Sequence, residues 1–92
     1  MPVTYITIEW PNNEKDQIYS PSSVIAEFFN KGEILTVDTF LIQCQKSLSE
    51  ASERVRQKFG YACTSAEAES YRIKQKCQEF DNQMEVKIKS IN

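Results

Sequence analysis

The chain has 92 residues, of which 40% are hydrophobic and 26% are charged, and its net charge at pH 7 is −2. This composition is typical of one folded domain spanning residues 1–92, and it excludes a disordered chain. The sequence contains no histidine, which excludes Ser-His-Asp and Cys-His catalysis and histidine-liganded metal sites.

Several features predict a reduced, cytoplasmic protein without a cofactor. No apolar run approaches the roughly 18 residues that indicate a membrane span, and the first ten residues lack the pattern of a signal peptide. The three cysteines, Cys44, Cys63 and Cys77, are odd in number and widely spaced, so a disulfide framework is not expected. No glycine-rich phosphate loop and no metal-ligand spacing is present.

Two strands are predicted at the start of the chain. Residues 3–10 alternate between apolar and polar positions and include β-branched and aromatic types, which predicts a strand with one buried face. Residues 11–14 predict a turn, because Pro11 presets φ and asparagine tolerates a left-handed backbone. Residues 15–19 predict a second, shorter strand that pairs with the first as an antiparallel hairpin.

A first helix is predicted over residues 21–30, with Ser20 as its N-cap and Pro21 at its first position. Gly32 follows as a stop signal. Its single apolar face consists of Val24, Ile25, Phe28 and Phe29.

The longest predicted element is a central helix from Val37 to Phe59. Thr36 and Asp38 are alternative N-caps, and Gly60 ends the helix because glycine adopts the left-handed C′ conformation without a steric penalty. The predicted apolar stripe, with steps of three or four residues, consists of Val37, Phe40, Leu41, Cys44, Leu48, Ala51, Val55 and Phe59.

A third helix is predicted from Thr64 to about Phe80, and a last half-buried strand follows, in which Met84, Val86 and Ile88 alternate with charged residues. The predicted fold is therefore α+β with the order ββαααβ. Because a two-stranded hairpin alone is marginal, the last strand should complete a three-stranded sheet with the first strand in the middle. The three helices should pack on one face of that sheet.

Four segments, spread over essentially the whole chain, form a recognisable pattern. They are Trp10-Pro11, Tyr19-Ser20-Pro21-Ser22, Gly32, and Arg54-Val55 followed by Lys58-Phe59-Gly60-Tyr61-Ala62-Cys63. In these segments the chain resembles a small bacterial family of nitrogen-starvation-response proteins. Asn13 departs from the glycine usual in the family's Trp-Pro turn, but asparagine also accepts a positive φ.

This resemblance implies an accessory role in nitrogen metabolism. The family is typically encoded beside a nitrilase, a radical-SAM protein, an acetyltransferase and a flavoprotein. It supplies no known catalytic residue, and its molecular function is uncharacterised. Its implied partners are the other proteins of that nitrilase-linked cluster.

Cys63 is the sharpest candidate for a functional residue. It lies at the predicted entrance of a helix, where the backbone favours an anion, and Arg54 and Lys58 are near in sequence, so its thiol pKa could be lowered. The alternative, which the sequence favours, is a small apolar residue packed into the corner between two helices. Cys44 and Cys77 fall on apolar stripes and are predicted core residues.

Two further candidate sites, an aromatic pocket and a DNA-binding surface, each have a simpler interpretation. Trp10 and Tyr19 could line an aromatic pocket, although an aromatic residue beside a turn more often covers the core. A short corner between two helices bearing basic residues suggests a DNA-binding regulator, but acidic residues interleave and the net negative charge disfavours nucleic acid. The basic residues concerned are Arg54, Lys58, Arg72, Lys74 and Lys76.

The sequence thus favours a non-enzymatic accessory or interaction protein of a nitrogen-responsive gene cluster. A thiol-dependent redox or catalytic site at Cys63 is the first alternative, and a DNA-binding regulator is the second.

Overall fold

The computed structural model describes residues 3–60 and 64–92. The α+β class is confirmed, but the described residues form four strands and two α-helices instead of three of each. The elements in chain order are β1 (Thr4–Glu9), β2 (Lys15–Ser20), a 3₁₀ helix (Ser23–Glu27), β3 (Ile34–Thr36), α1 (Val37–Phe59), α2 (Thr64–Cys77) and β4 (Glu85–Ile91).

The strands form one antiparallel sheet in the order β2-β1-β4-β3. The predicted hairpin is confirmed, with β1 and β2 in register from Thr4 opposite Ser20 to Glu9 opposite Lys15. Its turn is closed by two backbone hydrogen bonds, from the Trp10 N–H to the Glu14 carbonyl and from the Asn13 N–H to the Trp10 carbonyl. Asn13 adopts a φ of 71° there, which is the positive value that the sequence predicted for this residue.

The last strand lies inside the sheet. Ile8 of β1 is opposite Ile88 of β4, so the prediction that the C-terminal strand pairs with the first strand is confirmed. The register shifts between Thr7 and Ile8, which is a β-bulge. Met84 lies before β4 and is 47% exposed, so its predicted place in the buried alternation was wrong.

Two predicted details between residues 21 and 36 were wrong. The first helix is a 3₁₀ helix of five residues, in which Ser22 rather than Ser20 is the N-cap and accepts a hydrogen bond from the Val24 backbone N–H. The missed strand is β3, whose Leu35 pairs with Val86 of β4. Three residues are too few to show an alternating pattern in the sequence, and β3 continues directly into α1.

The bounds predicted for α1 are confirmed at both ends. Thr36 is the N-cap, because its hydroxyl accepts a hydrogen bond from the Thr39 backbone N–H at 3.3 Å. Gly60 ends the helix in the left-handed conformation with a φ of 84°. The apolar stripe is confirmed along most of its length, but Phe59 is 51% exposed. The last turn of α1 therefore lies outside the core.

Both α-helices pack on one face of the sheet, as predicted for the helices. α2 ends at Cys77, three residues before the predicted end, and its buried side chains are Ala66, Ile73 and Cys77. The core between the helices and the sheet includes Ile6, Ile8, Trp10, Ile18, Phe29, Phe40, Leu48, Val86 and Ile88.

We expect Gly60→Val to lower the free energy of unfolding by about 1–2 kcal/mol, because valine is strained at a positive φ. A Cβ atom at this position would meet no atom within 4 Å, so the loss should be conformational rather than steric. Gly60→Asn should cost less. Urea denaturation of the two variants measures the difference, and a valine variant as stable as the parent would contradict the assignment of Gly60 as the cap.

Candidate functional site

Trp10 closes one end of the core. It is 1% exposed, its ring stacks on Phe80 with 5.7 Å between the ring centroids, and Phe40 of α1 meets it edge-on at 5.6 Å. Its indole N–H donates a hydrogen bond of 2.9 Å to the carboxylate of Asp16. Trp10 therefore connects β1, α1 and the turn after α2.

Tyr19 lies on the other face of the sheet. It is half-buried and pairs with Tyr5 across β1 and β2, with their rings edge-to-face at 5.9 Å. Because side chains alternate along a strand, Tyr5 and Tyr19 point away from the helices, whereas Trp10 points toward them. The structure therefore does not bring Trp10 and Tyr19 together into one aromatic pocket.

A cluster of charged side chains joins α2 to the edge strand β2. We call Asp16, Glu69 and Arg72 the edge cluster. The Arg72 guanidinium donates hydrogen bonds to the Asp16 carboxylate at 2.8 Å and to the Glu69 carboxylate at 2.7 Å. It also donates one of 3.1 Å to the backbone carbonyl of Gln17, while the backbone N–H of Tyr19 donates one of 2.8 Å to Glu69. Side chains of a helix thus bind the backbone of a strand.

Sequence reasoning missed this cluster. Arg72 was assigned to a basic helix surface, and Asp16 was not singled out. The only signal in the sequence was the spacing of Glu69 and Arg72, which places them on one helix face, because nothing local indicates that a hairpin residue contacts α2.

Asp16 and Arg72 of the edge cluster are held in their ionised forms. Partial burial opposes ionisation of Asp16, but hydrogen bonds from Arg72, Trp10 and the Gln17 backbone outweigh it, so the pKa of Asp16 is below its ordinary value of 3.8. The hydrogen bond to Glu69, with a smaller contribution from Asp16, raises the pKa of Arg72 against the effect of burial. Both groups are charged throughout the neutral range, which suits a structural contact rather than proton transfer.

Cys44 and Cys77 lie in the core. Cys44 and Cys77 are buried at 0% and 4% exposure, which confirms them as core residues. Burial raises the pKa of Cys44 well above its ordinary value and the pKa of Cys77 to about 11. Cys63 lies outside the described residues, so both the packed and the reactive interpretations of it remain predictions.

We expect iodoacetamide to label Cys44 and Cys77 slowly in the folded protein at neutral pH. Labelling needs an accessible thiolate, and these two thiols are buried and protonated. A pH profile with mass-spectrometric assignment of each cysteine measures this, with the urea-unfolded protein as the control. Fast labelling of Cys63 alone, with a midpoint below the roughly 8.5 of a free thiol, would support the thiol hypothesis. Fast labelling of Cys44 would contradict the packing described above.

Arg54 and Lys58 lie on the second half of α1. Arg54 is 3.9 Å from the Glu27 carboxylate, and both side chains are about half-exposed or more. The Lys58 ammonium lies 5.8 Å from the centroid of the Phe59 ring. Two other residues of the predicted basic surface bind acidic residues of the hairpin, because Arg72 contacts Asp16 and Lys76 contacts Glu14 at 3.1 Å. Part of the basic charge of the predicted surface is therefore paired with acidic residues of the same chain.

A groove of about 440 Å³ runs between α1 and α2. Arg56 at its side is bound to Glu53 by two hydrogen bonds of 2.6 and 3.0 Å, so the groove offers mainly hydroxyl and amide groups. Its other polar lining residues are Gln45, Ser49, Ser52, Glu67 and Ser70.

Within residues 3–60 and 64–92, no group of three or more acidic or cysteine side chains could hold a metal ion. Neither α-helix, as far as it is described, is long and apolar enough to cross a membrane.

The sheet face opposite α1 and α2, which we call the open face, carries exposed side chains. At one end, Val3 is 46% exposed and Tyr5 is 39% exposed. Tyr5 lies opposite Tyr19, and Val3 precedes Tyr5 by two residues. Ile34, on β3, is 52% exposed. Strand alternation and register also place on this face Thr7, Glu9, Lys15, Gln17, Thr36, Glu85, Lys87 and Ser90. Lys89 lies 3.6 Å from the Glu9 carboxylate.

Comparison with known proteins identifies a family. The sequence model of a family described as nitrogen starvation-induced protein NitG matches residues 5–91. No curated protein and no solved structure matches the chain.

Proposed function

Because the chain belongs to the NitG family of nitrogen starvation-induced proteins, we propose that it is a non-enzymatic accessory protein of the nitrogen starvation response. In this proposal it acts in the bacterial cytoplasm by binding another protein. The observation that carries the proposal is the aromatic end of the open face, formed by Val3, Tyr5 and Tyr19.

This end of the open face has the composition of a protein-binding surface. Tyrosine is enriched at interfaces, because it contributes a large contact area and a hydrogen-bonding group at a small entropic cost. Tyr5 and Tyr19 support each other edge-to-face, so their rings are held in place before a partner binds. Thr7 and Gln17, the next pair along the two strands, add uncharged polar groups around the aromatic pair.

The proposed partners come from the resemblance noted in the sequence. They are proteins encoded with the family, beginning with the nitrilase. Acidic and basic residues near the helices bind one another, as Arg72 binds Asp16 and Glu69. This pairing is consistent with a partner that binds at the open face instead.

A pairwise binding measurement tests the proposal. The purified chain is titrated against each purified cluster protein by isothermal calorimetry, and Tyr5→Ala is expected to weaken the productive interaction by about tenfold or more. Tyr71→Ala is the matched control, because Tyr71 is 66% exposed on α2, away from the open face. Binding that is equally strong in both variants would contradict a site on the open face. Failure of every cluster protein to bind would contradict the proposed partners.

A further inference from the structure

We infer that the edge cluster is a guard on strand β2, which prevents this strand from pairing with β2 of a second copy of the chain. This inference concerns the edge of the sheet and is independent of binding at the open face. It rests on the contacts of Asp16, Glu69 and Arg72 with the β2 backbone.

β2 is one of the two edges of the sheet, and an edge strand presents backbone groups that another strand can bind. The backbone of Glu14 bonds to Trp10, so alternate residues from Glu14 onward face β1. The backbone groups of Lys15, Gln17 and Tyr19 therefore point outward. At six residues, β2 is long enough to be a hazard, whereas β3 at the other edge has only three residues.

The edge cluster occupies the outward groups in the middle of β2. The Tyr19 N–H is bound by Glu69 at 2.8 Å, and the Gln17 carbonyl is bound by Arg72 at 3.1 Å. The Gln17 N–H is bound by the neighbouring Asp16 carboxylate at 2.7 Å. These are the donors and acceptor that an incoming strand would need. Side-chain contacts of this kind are a known way of protecting an edge strand.

The sequence of β2 suits pairing with itself, which identifies a second copy as the occupant. In an antiparallel pair of two β2 strands centred on Gln17, the two Gln17 residues lie opposite each other. Lys15 of each copy lies opposite Tyr19 of the other, and Asp16 of each copy lies opposite Ile18 of the other. No like charges meet in this arrangement. Opposed like charges would weaken such a pair, whereas a lysine beside an aromatic ring strengthens it.

The guard is held by groups that water reaches only in part. The exposed fractions of the Arg72, Asp16 and Glu69 side chains are 42%, 21% and 14%. Removing Arg72 together with Glu69 leaves neither of them as an unpaired charge, and Asp16 keeps its hydrogen bond from Trp10. We therefore expect this double change to leave the fold intact while it uncovers the edge.

The test uses the double variant Glu69→Ala/Arg72→Ala. The matched control is Glu53→Ala/Arg56→Ala, because Glu53 and Arg56 form an equivalent i,i+3 pair on α1 that binds no strand. Each variant removes one positive and one negative charge, so the net charge stays at −2. Sedimentation velocity over a concentration series reports self-association, and NMR amide exchange reports the Gln17 and Tyr19 N–H groups.

In the guard variant at low concentration, we expect the Tyr19 N–H, which loses its acceptor Glu69, to exchange about tenfold faster or more, while the Gln17 N–H keeps Asp16 as its acceptor. At high concentration this variant should self-associate and protect the Tyr19 amide again, while the parent and the control stay monomeric. The inference is overturned if the guard variant exposes this amide and remains monomeric, if its exchange does not change, or if both variants associate alike. Association that leaves the Tyr19 amide unprotected would also overturn it.

Should the double variant fail to fold, Glu69→Ala carries the test, with Glu53→Ala as its matched control. This change removes the acceptor of the Tyr19 N–H, while Arg72 keeps Asp16. The same expectations and contrary outcomes then apply to the Tyr19 amide and to self-association.

Discussion

Replacing Trp10 with alanine is expected to lower the free energy of unfolding by about 3–5 kcal/mol, the range for removing a large aromatic side chain from a core. The ring is almost fully buried and contacts Phe80 and Phe40, so its loss leaves a cavity that three elements share. The loss also removes the hydrogen bond to Asp16. For a domain of this size, such a change is a large part of the total stability.

Urea denaturation followed by circular dichroism measures this effect, since Trp10 is the single tryptophan and its fluorescence is lost in the variant. Tyr71→Ala is the control, because Tyr71 is 66% exposed and should change stability by less than about 0.5 kcal/mol. Trp10→Phe should fall between the two variants. A loss below about 1 kcal/mol for Trp10→Ala would contradict the packing described, because removing a buried aromatic side chain costs about 3 kcal/mol or more.

Replacing Asp16 with alanine is expected to cost about 1–3 kcal/mol at neutral pH, the range for leaving buried partners without an acceptor. The indole N–H of Trp10 and the guanidinium of Arg72 both donate to the same Asp16 oxygen. Of these partners, Trp10 is buried and has no second acceptor among the hydrogen bonds described, whereas Arg72 keeps Glu69. Most of the cost should therefore come from Trp10.

The free-energy cost of Asp16→Ala should decrease as the pH is lowered. The folded pKa of Asp16 is lowered, so the ionised carboxylate stabilises the fold above its unfolded pKa, which is near 4. That stabilisation is lost as the pH falls through the folded pKa. The difference in unfolding free energy between the parent and Asp16→Ala should thus be largest at neutral pH and shrink below about pH 4.

Urea denaturation at a series of pH values checks this expectation. Glu79→Ala removes a control carboxylate. The Glu79 side chain is exposed, and its ion pair with Lys76 is long, at 3.6 Å. A difference for Asp16→Ala that stays constant down to acidic pH would show that folding does not lower the pKa of this carboxyl group, which would contradict its pairing with Arg72.

The central helix could be predicted from the sequence because its signals are local and agree. A long apolar stripe begins after Thr36 and ends before Gly60. The threonine hydroxyl can cap a helix start, and glycine, which has no Cβ atom, can adopt the left-handed conformation at a helix end. The exposed Phe59 was misassigned, because periodicity shows which residues share a helix face but not where the neighbouring elements end.

The region before α1 was harder because its local signals conflict. Val24, Ile25, Phe28 and Phe29 fit a helical face, yet the described helix is a single 3₁₀ segment that ends at Glu27. β3 is a strand only because Leu35 has Val86 as a partner. A three-residue strand is determined by tertiary pairing, which one sequence does not reveal.

The candidate site was only partly predictable for a similar reason. The burial of Trp10 followed from its place at the end of an alternating strand. Its partners Asp16 and Phe80, and the contact from Asp16 to Arg72, join segments that are distant in sequence. Tyr19 was identified as a residue of interest, but its pairing with Tyr5 needed the register of the hairpin.

The position of β4 inside the sheet also affects how the chain folds. β1 and β4 pair residues separated by nearly the full length of the sequence, as with Ile6 opposite Ile91, and closing so long a loop costs entropy before the pairing contributes stability. The β1–β2 hairpin and the α1–α2 pair involve shorter loops and can form earlier. Until β4 arrives, β3 has no neighbouring strand and one edge of β1 is unpaired. Insertion of β4 is therefore the step that we expect to limit the folding rate, because sheets built from distant pairings fold slowly.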